Sequence, residues 1–351
     1  MNICNMLNFK SLCFSIFVIG LLSILNGCKE VVNERYISEN DTTFSPDIRS
    51  VSKKINAQPK NPELYYNRSK AFYSEDNFKQ ALLDIDYALV IDSANALYYF
   101  KRGEYLMAGD TANAKEAEKA FHHAIRLKRD FFDAYTSLGH LLLAKQKYSE
   151  SEKNYTEANK LDPSNPMPYF YLGMIAKEMK DTAKALLLFE KTLVYDSRHY
   201  DALMQIGNYY ADKKDKKALT FFDQAIAVNE FSDEALYAKG LFLQNENLYK
   251  DAAALYELVA KMNPAHVFCR YNLAFINGVF GNYNKAVTLL DEVIDLVPEY
   301  AEAYTLRGAM KEKLKNSTGA FNDYSKALQL DENQVLAKQG LKRINITISM
   351  P

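Results

Sequence analysis

From position 62 onward this chain repeats itself about every 34 residues, and that period limits what it can fold into. Aligned copies begin at Pro62, Ala96, Phe132, Pro166, Tyr200, Asp233, Val267 and Ala301, with spacings of 34, 36, 34, 34, 33, 34 and 34 residues. Counted from each start, the eighth place is small: Ser69, Gly103, Gly139, Gly173, Gly207, Gly240, Ala274 and Gly308. A second small column follows: Ala81, Ala117, Ser151, Ala185, Ala218, Ala252, Ala286 and Ala320. Four residues later stands a large apolar side chain: Ile85, Phe121, Tyr155, Phe189, Phe222, Tyr256, Leu290 or Tyr324. Pro163, Pro264 and Pro298 close three copies. A unit this short cannot bury its own apolar face, so successive copies must stack on one another.

The pattern resembles the tetratricopeptide repeat (TPR) family, with residues 132–163 the closest copy through Tyr135, Leu138, Gly139, Tyr148, Tyr155, Ala158 and Pro163. The resemblance covers 62–334. It implies an all-α, right-handed α-solenoid of eight repeats (62–95, 96–131, 132–165, 166–199, 200–232, 233–266, 267–300 and 301–334), each a helix A packed on a helix B. The second copy carries two extra residues between its helices near Asp110 to Ala114, and the fifth lacks one near Lys213 to Lys217. The small columns let A and B cross closely, and the large B residue is expected to fill the gap toward the next A helix. Scarce glycine and proline, 13 and 9 in 351 residues, agree with a mostly helical chain.

The two ends fit a stack that needs covers. After Ser45-Pro46, a helix start, Ile48, Val51 and Ile55 follow a helical period, so 46–60 reads as a flanking helix. Residues 335–345 read as a capping helix with Val335, Leu336, Leu341 and Ile344 inward and Lys338, Lys342 and Arg343 outward, before a tail at 346–351.

Residues 11–27 carry no charge and follow Lys10, the order of a secretory signal. Leu25-Asn26-Gly27-Cys28 resembles the lipobox of bacterial lipoproteins. That resemblance implies removal of 1–27 and diacylglycerol on the Cys28 thiol, with a second acylation of the new amino group. Two or three acyl chains, at about 0.8 kcal/mol per buried CH₂, hold a protein on a membrane stably. Residues 28–45 then form a polar tether. Without Asp after the cysteine, the outer membrane is the expected destination, on its periplasmic side. The alternative is a short transmembrane anchor, for which seventeen residues, roughly 25 Å of helix, are marginal.

Eight repeats and two covers leave no room for a separate catalytic domain. No phosphate loop, HExxH or Cys-x-x-Cys occurs, and no cofactor or metal is expected. His122, His123, His140, His199 and His266 read as solvated histidines, and Cys269 as a small apolar residue of helix A. A net charge of −1 offers nothing to nucleic acid. Function is therefore sought on a surface. Family geometry assigns places 2, 5, 6, 9, 12 and 13 to the concave face. The candidate groove residues are Tyr66, Tyr73, Phe100, His140, Phe170, Tyr171, Met174, Asn208, Tyr237, Phe268, Tyr271 and Phe275. Acids outnumber bases at those places. Tyr65, Tyr99, Tyr135, Tyr169 and Tyr304 fill the fourth place, a packing column. The family's carboxylate clamp is absent, because Met204 stands where its lysine belongs. Arg270, Asn277 and Lys311 break the apolar pattern of repeats seven and eight, as framework or as a second contact surface.

These features suit a membrane-anchored scaffold that binds a protein segment with apolar and basic side chains at the cell envelope. A glycan or small-ligand receptor is the alternative reading, and self-association into a homo-oligomer is a third.

Overall fold

The computed structural model describes residues 41–109 and 113–348. Cys28, the segment before it and most of the tether lie outside the described residues. Among those described there are eighteen helices and no strand, an all-α repeat fold. The chain divides into two compact units, 1–168 and 169–351.

The first unit begins with α1 (Pro46–Ala57). Pairs α2 (Pro62–Ser74) and α3 (Phe78–Ile91), α4 (Ala96–Gly109) and α5 (Ala114–Leu127), and α6 (Phe132–Ala144) and α7 (Tyr148–Leu161) follow. The unit boundary falls in the first turn of α8 (Pro166–Glu178), which pairs with α9 (Thr182–Tyr195). The second unit continues with α10 (Tyr200–Asp212) and α11 (Lys217–Val228), α12 (Asp233–Asn245) and α13 (Tyr249–Met262), α14 (Val267–Val279) and α15 (Tyr283–Leu296), and α16 (Ala301–Lys313) and α17 (Ser317–Leu330). It ends with α18 (Val335–Ile348). In the fifth repeat, which lacks one residue, helix B is two residues shorter, 12 in α11 against 14 in α9 and α13, and the A–B turn at 213–216 is one residue longer.

Local chemistry sets the boundaries. Ser45, Asn61, Ser232, Asn77, Asp181 and Asn316 each accept a hydrogen bond from a first-turn amide of the following helix, satisfying a donor the helix itself leaves open. The A–B turns close on one left-handed residue: Asp76, Gln146, Lys180, Lys214, Asn247, Gly281 or Lys315. After α6, Gln146 N–H donates to Leu143 O and Lys147 N–H to Leu142 O, which ends the helix and starts the next within three residues.

The core is built from ring on glycine. The Phe222 ring lies on Gly207, and a Cβ there would stand 2.6 Å from the ring. Phe121 on Gly103, Tyr155 on Gly139, Phe189 on Gly173, Tyr256 on Gly240 and Tyr324 on Gly308 repeat the contact. The large B residue thus fills the crossing with its own A helix and, as expected, also reaches the next one: Asn272 donates to the Tyr256 hydroxyl at 3.3 Å, and the Tyr324 ring meets Gly340. Where the eighth place keeps a side chain, as in Ser69 and Ala274, the B residue is aliphatic, Ile85 or Leu290. Ser151 fits the small column because its hydroxyl donates to Gly139 O at 2.8 Å.

The ends differ in detail from expectation. The helix α1 stops at Ala57, and its buried face is Ile48, Ser52 and Ile55, with Val51 half-buried. Val335 and Leu336 are 62% and 67% exposed, so they do not face inward. The inward face of α18 is Ala337, Gly340, Leu341 and Ile344, because only the small Gly340 lets the Tyr324 ring lie against the helix. The helix also runs past 345 to Ile348.

Candidate functional site

Each unit presents A-helix surface that its B helices do not cover. In the first unit, Tyr66 is tilted against Tyr98 at 5.4 Å with the Lys70 ammonium over its face at 4.7 Å. Tyr73 stacks on Tyr105 at 4.8 Å and remains exposed. The Tyr105 hydroxyl shares a hydrogen bond with Ser69 at 3.2 Å, and burial pushes its pKa up to about 12. Tyr73, Glu104, Met107, Ala108, Phe121, Ser137, His140, Leu141 and Ala144 line a cleft of 460 Å³. The cleft has room because place 13 is Ala108 and Ala144 here, whereas later copies carry Glu178, Asp212, Asn245, Val279 and Lys313. His140 lies half-buried, edge-on to Tyr155 at 5.5 Å, and burial lowers its pKa. Phe100 does not belong to the groove. It is 5% exposed, held between Phe121 and Phe131 at 6.0 and 4.9 Å.

In the second unit, Phe170 contacts Tyr171, Phe189 and His199 at 5.3, 5.8 and 4.8 Å. Tyr171 is half-buried; desolvation, then the Asp201 charge, raise its pKa. Met174 packs against the core beneath. Asn208 is exposed and shares a cleft of 90 Å³ with Lys177, Gln205 and Asp212. Tyr237 meets His266 at 5.0 Å, Tyr271 meets Tyr300 at 5.3 Å, and Phe275 is edge-on to Tyr249 at 6.3 Å. Phe268 stands 55% exposed.

A rule missing from the sequence reading links these contacts. Four of the five aromatics at place 5 pack on the residue just before the next A helix, Phe100 on Phe131, Phe170 on His199, Tyr237 on His266, and Tyr271 on Tyr300, while Tyr66, followed by Asn95 there, leans on Tyr98. The signal was present as a ring at both positions of the same four copies. His199 and His266 are therefore not merely solvated. Each caps its helix, Nδ1 accepting from Ala202 N–H or Cys269 N–H at 3.3 Å, which assigns the proton to Nε2.

The irregular residues of repeats seven and eight are framework. Arg270 donates to Glu292 at 2.9 Å, Asn277 to Leu273 O at 2.8 Å, and Lys311 pairs with Asp323 at 2.9 Å. The fourth-place residues Tyr65 and Tyr304 donate to Pro59 O and Pro298 O, both at 3.1 Å, and Tyr169 stacks on Tyr195 at 5.4 Å. Cys269 is buried, and desolvation pushes its thiol up to about 12. Among the described residues no cluster of His, Cys, Asp and Glu could hold a metal, and no helix is long and apolar enough to cross a membrane.

A family model described as the second ARM domain of tetratricopeptide repeat protein 21 matches residues 51–311. The solved C-terminal part of a TPR repeat-containing protein from Cytophaga hutchinsonii is 16% identical with a TM-score of 0.57, covering 70% of this chain and 98% of that one. PilF of Pseudomonas aeruginosa is 16% identical with a TM-score of 0.53, covering 60% and 97%. Such likeness shows the fold. A TPR repeat-containing protein of Methanocaldococcus jannaschii is 23% identical over 90% of this chain and 53% of its own length. Human protein O-mannosyl-transferase TMTC3 is 21% identical over 93% of this chain and 38% of its own length. The chain thus spans well under two thirds of these curated relatives.

Proposed function

The chain belongs to the tetratricopeptide repeat family, and from that premise we propose that it is a non-enzymatic scaffold, anchored by lipid on Cys28, that binds a protein segment along its A-helix surface. The observation that carries the reading is exposed aromatic surface on A helices in both units, Tyr73 and Phe268, beside half-buried Tyr66, Tyr171 and Tyr271. Exposed rings next to polar groups are common anchors of protein interfaces. Three groups with reactive chemistry are occupied in packing: Cys269 is buried, and His199 and His266 cap helices.

The anchor rests on the sequence Leu25-Asn26-Gly27-Cys28, and placement at the outer membrane rests on Lys29, in place of Asp, following it. Metabolic labelling with an alkyne fatty acid tests it: the chain takes label and C28S does not. Labelled C28S, or unlabelled wild type, removes the anchor.

Photo-crosslinking in native envelopes tests the scaffold, with the probe at Tyr171 and a control at Lys191, an exposed position on helix B. A discrete heteromeric adduct from Tyr171 alone supports it, and a homodimeric adduct indicates self-assembly. The 460 Å³ cleft beside Tyr73, Glu104 and His140 favours a second reading, a glycan or small ligand. That reading gains if neither probe gives an adduct and Y73A abolishes glycan retention.

A further inference from the structure

Place 2 of the eight copies reads Glu63, Leu97, Asp133, Met167, Asp201, Glu234, Phe268 and Glu302. All eight side chains are exposed, and none is basic. Leu97, Met167 and Phe268 are among the most exposed large apolar residues of the A helices, at 37%, 40% and 55%. Within the first unit an acid–apolar–acid triplet runs Glu63, Leu97, Asp133. Within the second it runs Glu234, Phe268, Glu302. Among the described residues none of these four carboxylates forms an ion pair, and Glu234 accepts one hydrogen bond, from the Tyr200 hydroxyl at 3.3 Å.

A helix dipole favours carboxylates in the first turn, which accounts for the acids. It does not account for an exposed phenylalanine between two of them. Phe268 sits in a run of rings, 6.5 Å from His266 and 6.2 Å from Tyr300, with Tyr271 5.3 Å beyond. Burial, then the Glu302 charge, raises the Tyr271 hydroxyl pKa, and burial, Tyr271 and then Glu302 raise that of Tyr300, which sets the carboxylate in the electrostatic neighbourhood of these rings.

We propose that each unit offers one docking site for an extended partner segment in which two basic residues bracket an apolar one, the apolar side chain seated on Leu97 or Phe268 and the basic ones on the flanking carboxylates. This rests on the scaffold reading above and adds the partner's chemistry. In the second unit α14 and α16, which carry Phe268 and Glu302, touch directly, and helices packed side by side lie about 8–10 Å apart. An extended chain advances about 3.3 Å per residue. Every third residue therefore meets the next place 2, and the motif is basic-x-x-apolar-x-x-basic.

The test uses the full chain in detergent micelles and fluorescent heptapeptides: Lys-Ala-Ala-Leu-Ala-Ala-Lys, its form with glutamate for both lysines, and its form with alanine for leucine. By anisotropy the lysine peptide binds, and the glutamate form binds at least tenfold more weakly. The alanine form is weakened severalfold, as is binding to L97A/F268A. Reversing the four carboxylates, E63K/D133K/E234K/E302K, inverts the preference so that the glutamate peptide binds, which a misfolded variant cannot do. Exposed ion pairs are worth about 0.2–1 kcal/mol each, so two attractions turned into two repulsions amount to about tenfold. Equal binding of both charged peptides, unchanged preference after reversal, or no binding by any peptide overturns the proposal. A Tyr171 crosslink obtained alongside that failure leaves the scaffold standing and removes only the charge pattern.

Discussion

The Phe222 ring occupies the space a side chain at Gly207 would need, with Cε1 2.6 Å from the position of the absent Cβ. Six of the eight helix pairs are joined by this contact between a B-helix ring and an A-helix glycine. The two without it replace both partners together, Ser69 with Ile85 and Ala274 with Leu290. The volume at the crossing is thus shared out between two positions that change together.

Gly207→Ala is expected to destabilise the second unit by about 1–3 kcal/mol, the usual cost of overpacking. Adding Phe222→Leu recovers most of that loss, because it reproduces the Ala274–Leu290 pair. Urea melts, with hydrogen exchange of α10 and α11 to localise the effect, read both variants. A double variant no more stable than G207A would show that the ring and the glycine are not coupled.

The buried guanidinium of Arg68 makes two 2.7 Å bonds to Asp84 and one of 3.0 Å to Ser52, tying α1, α2 and α3 together. Asp84→Leu leaves that charge without its carboxylate and should cost about 3–5 kcal/mol. The paired change R68L/D84L should restore stability to within about 1.5 kcal/mol of wild type, since repeats four and seven carry Leu172 with Leu188 and Leu273 with Leu289 at these places. Thermal melts of the single and double variants decide it. Additive losses would mean the pair is not a unit.

Gly281 has φ +80 and open space where a Cβ would go. Gly281→Ala is therefore a backbone effect alone, expected to destabilise by about 1 kcal/mol. The equivalent Lys214, at φ 55, already bears that strain. Lys214→Gly should be stabilising by up to about 1 kcal/mol, the relief being partly offset by the freer unfolded chain. Opposite signs of the two shifts in denaturant midpoint are the result to look for.

Cys269 is buried with its thiol pushed up to about 12 by desolvation, so the reactive thiolate is excluded at neutral pH. In native protein at pH 8 iodoacetamide should leave Cys269 unmodified, and in urea it should modify it fully. Peptide mass spectrometry separates this cysteine from Cys4, Cys13 and Cys28. Rapid native labelling would mean the α14 crossing opens readily.

By itself the sequence determined the helix pairs and their small columns, because each recurs in every copy at a fixed local spacing and helical periodicity turns spacing into a face; the fourth-place tyrosine recurs in five of the eight copies. The fate of individual groove residues was decided only in three dimensions. Phe100 and Phe268 were both assigned to the same face, yet one is core and the other stands in solvent. The difference lies in what each ring meets: Phe100 is enclosed by Phe121 and Phe131, residues 21 and 31 positions onward. Val335 and Leu336 looked inward for a similar reason, an apolar character that pattern alone could not orient, until the Tyr324 ring fixed Gly340 as the contact face of α18. Local pattern sets which helices form; exposure depends on neighbours a repeat away, and these are brought together only when the helices stack.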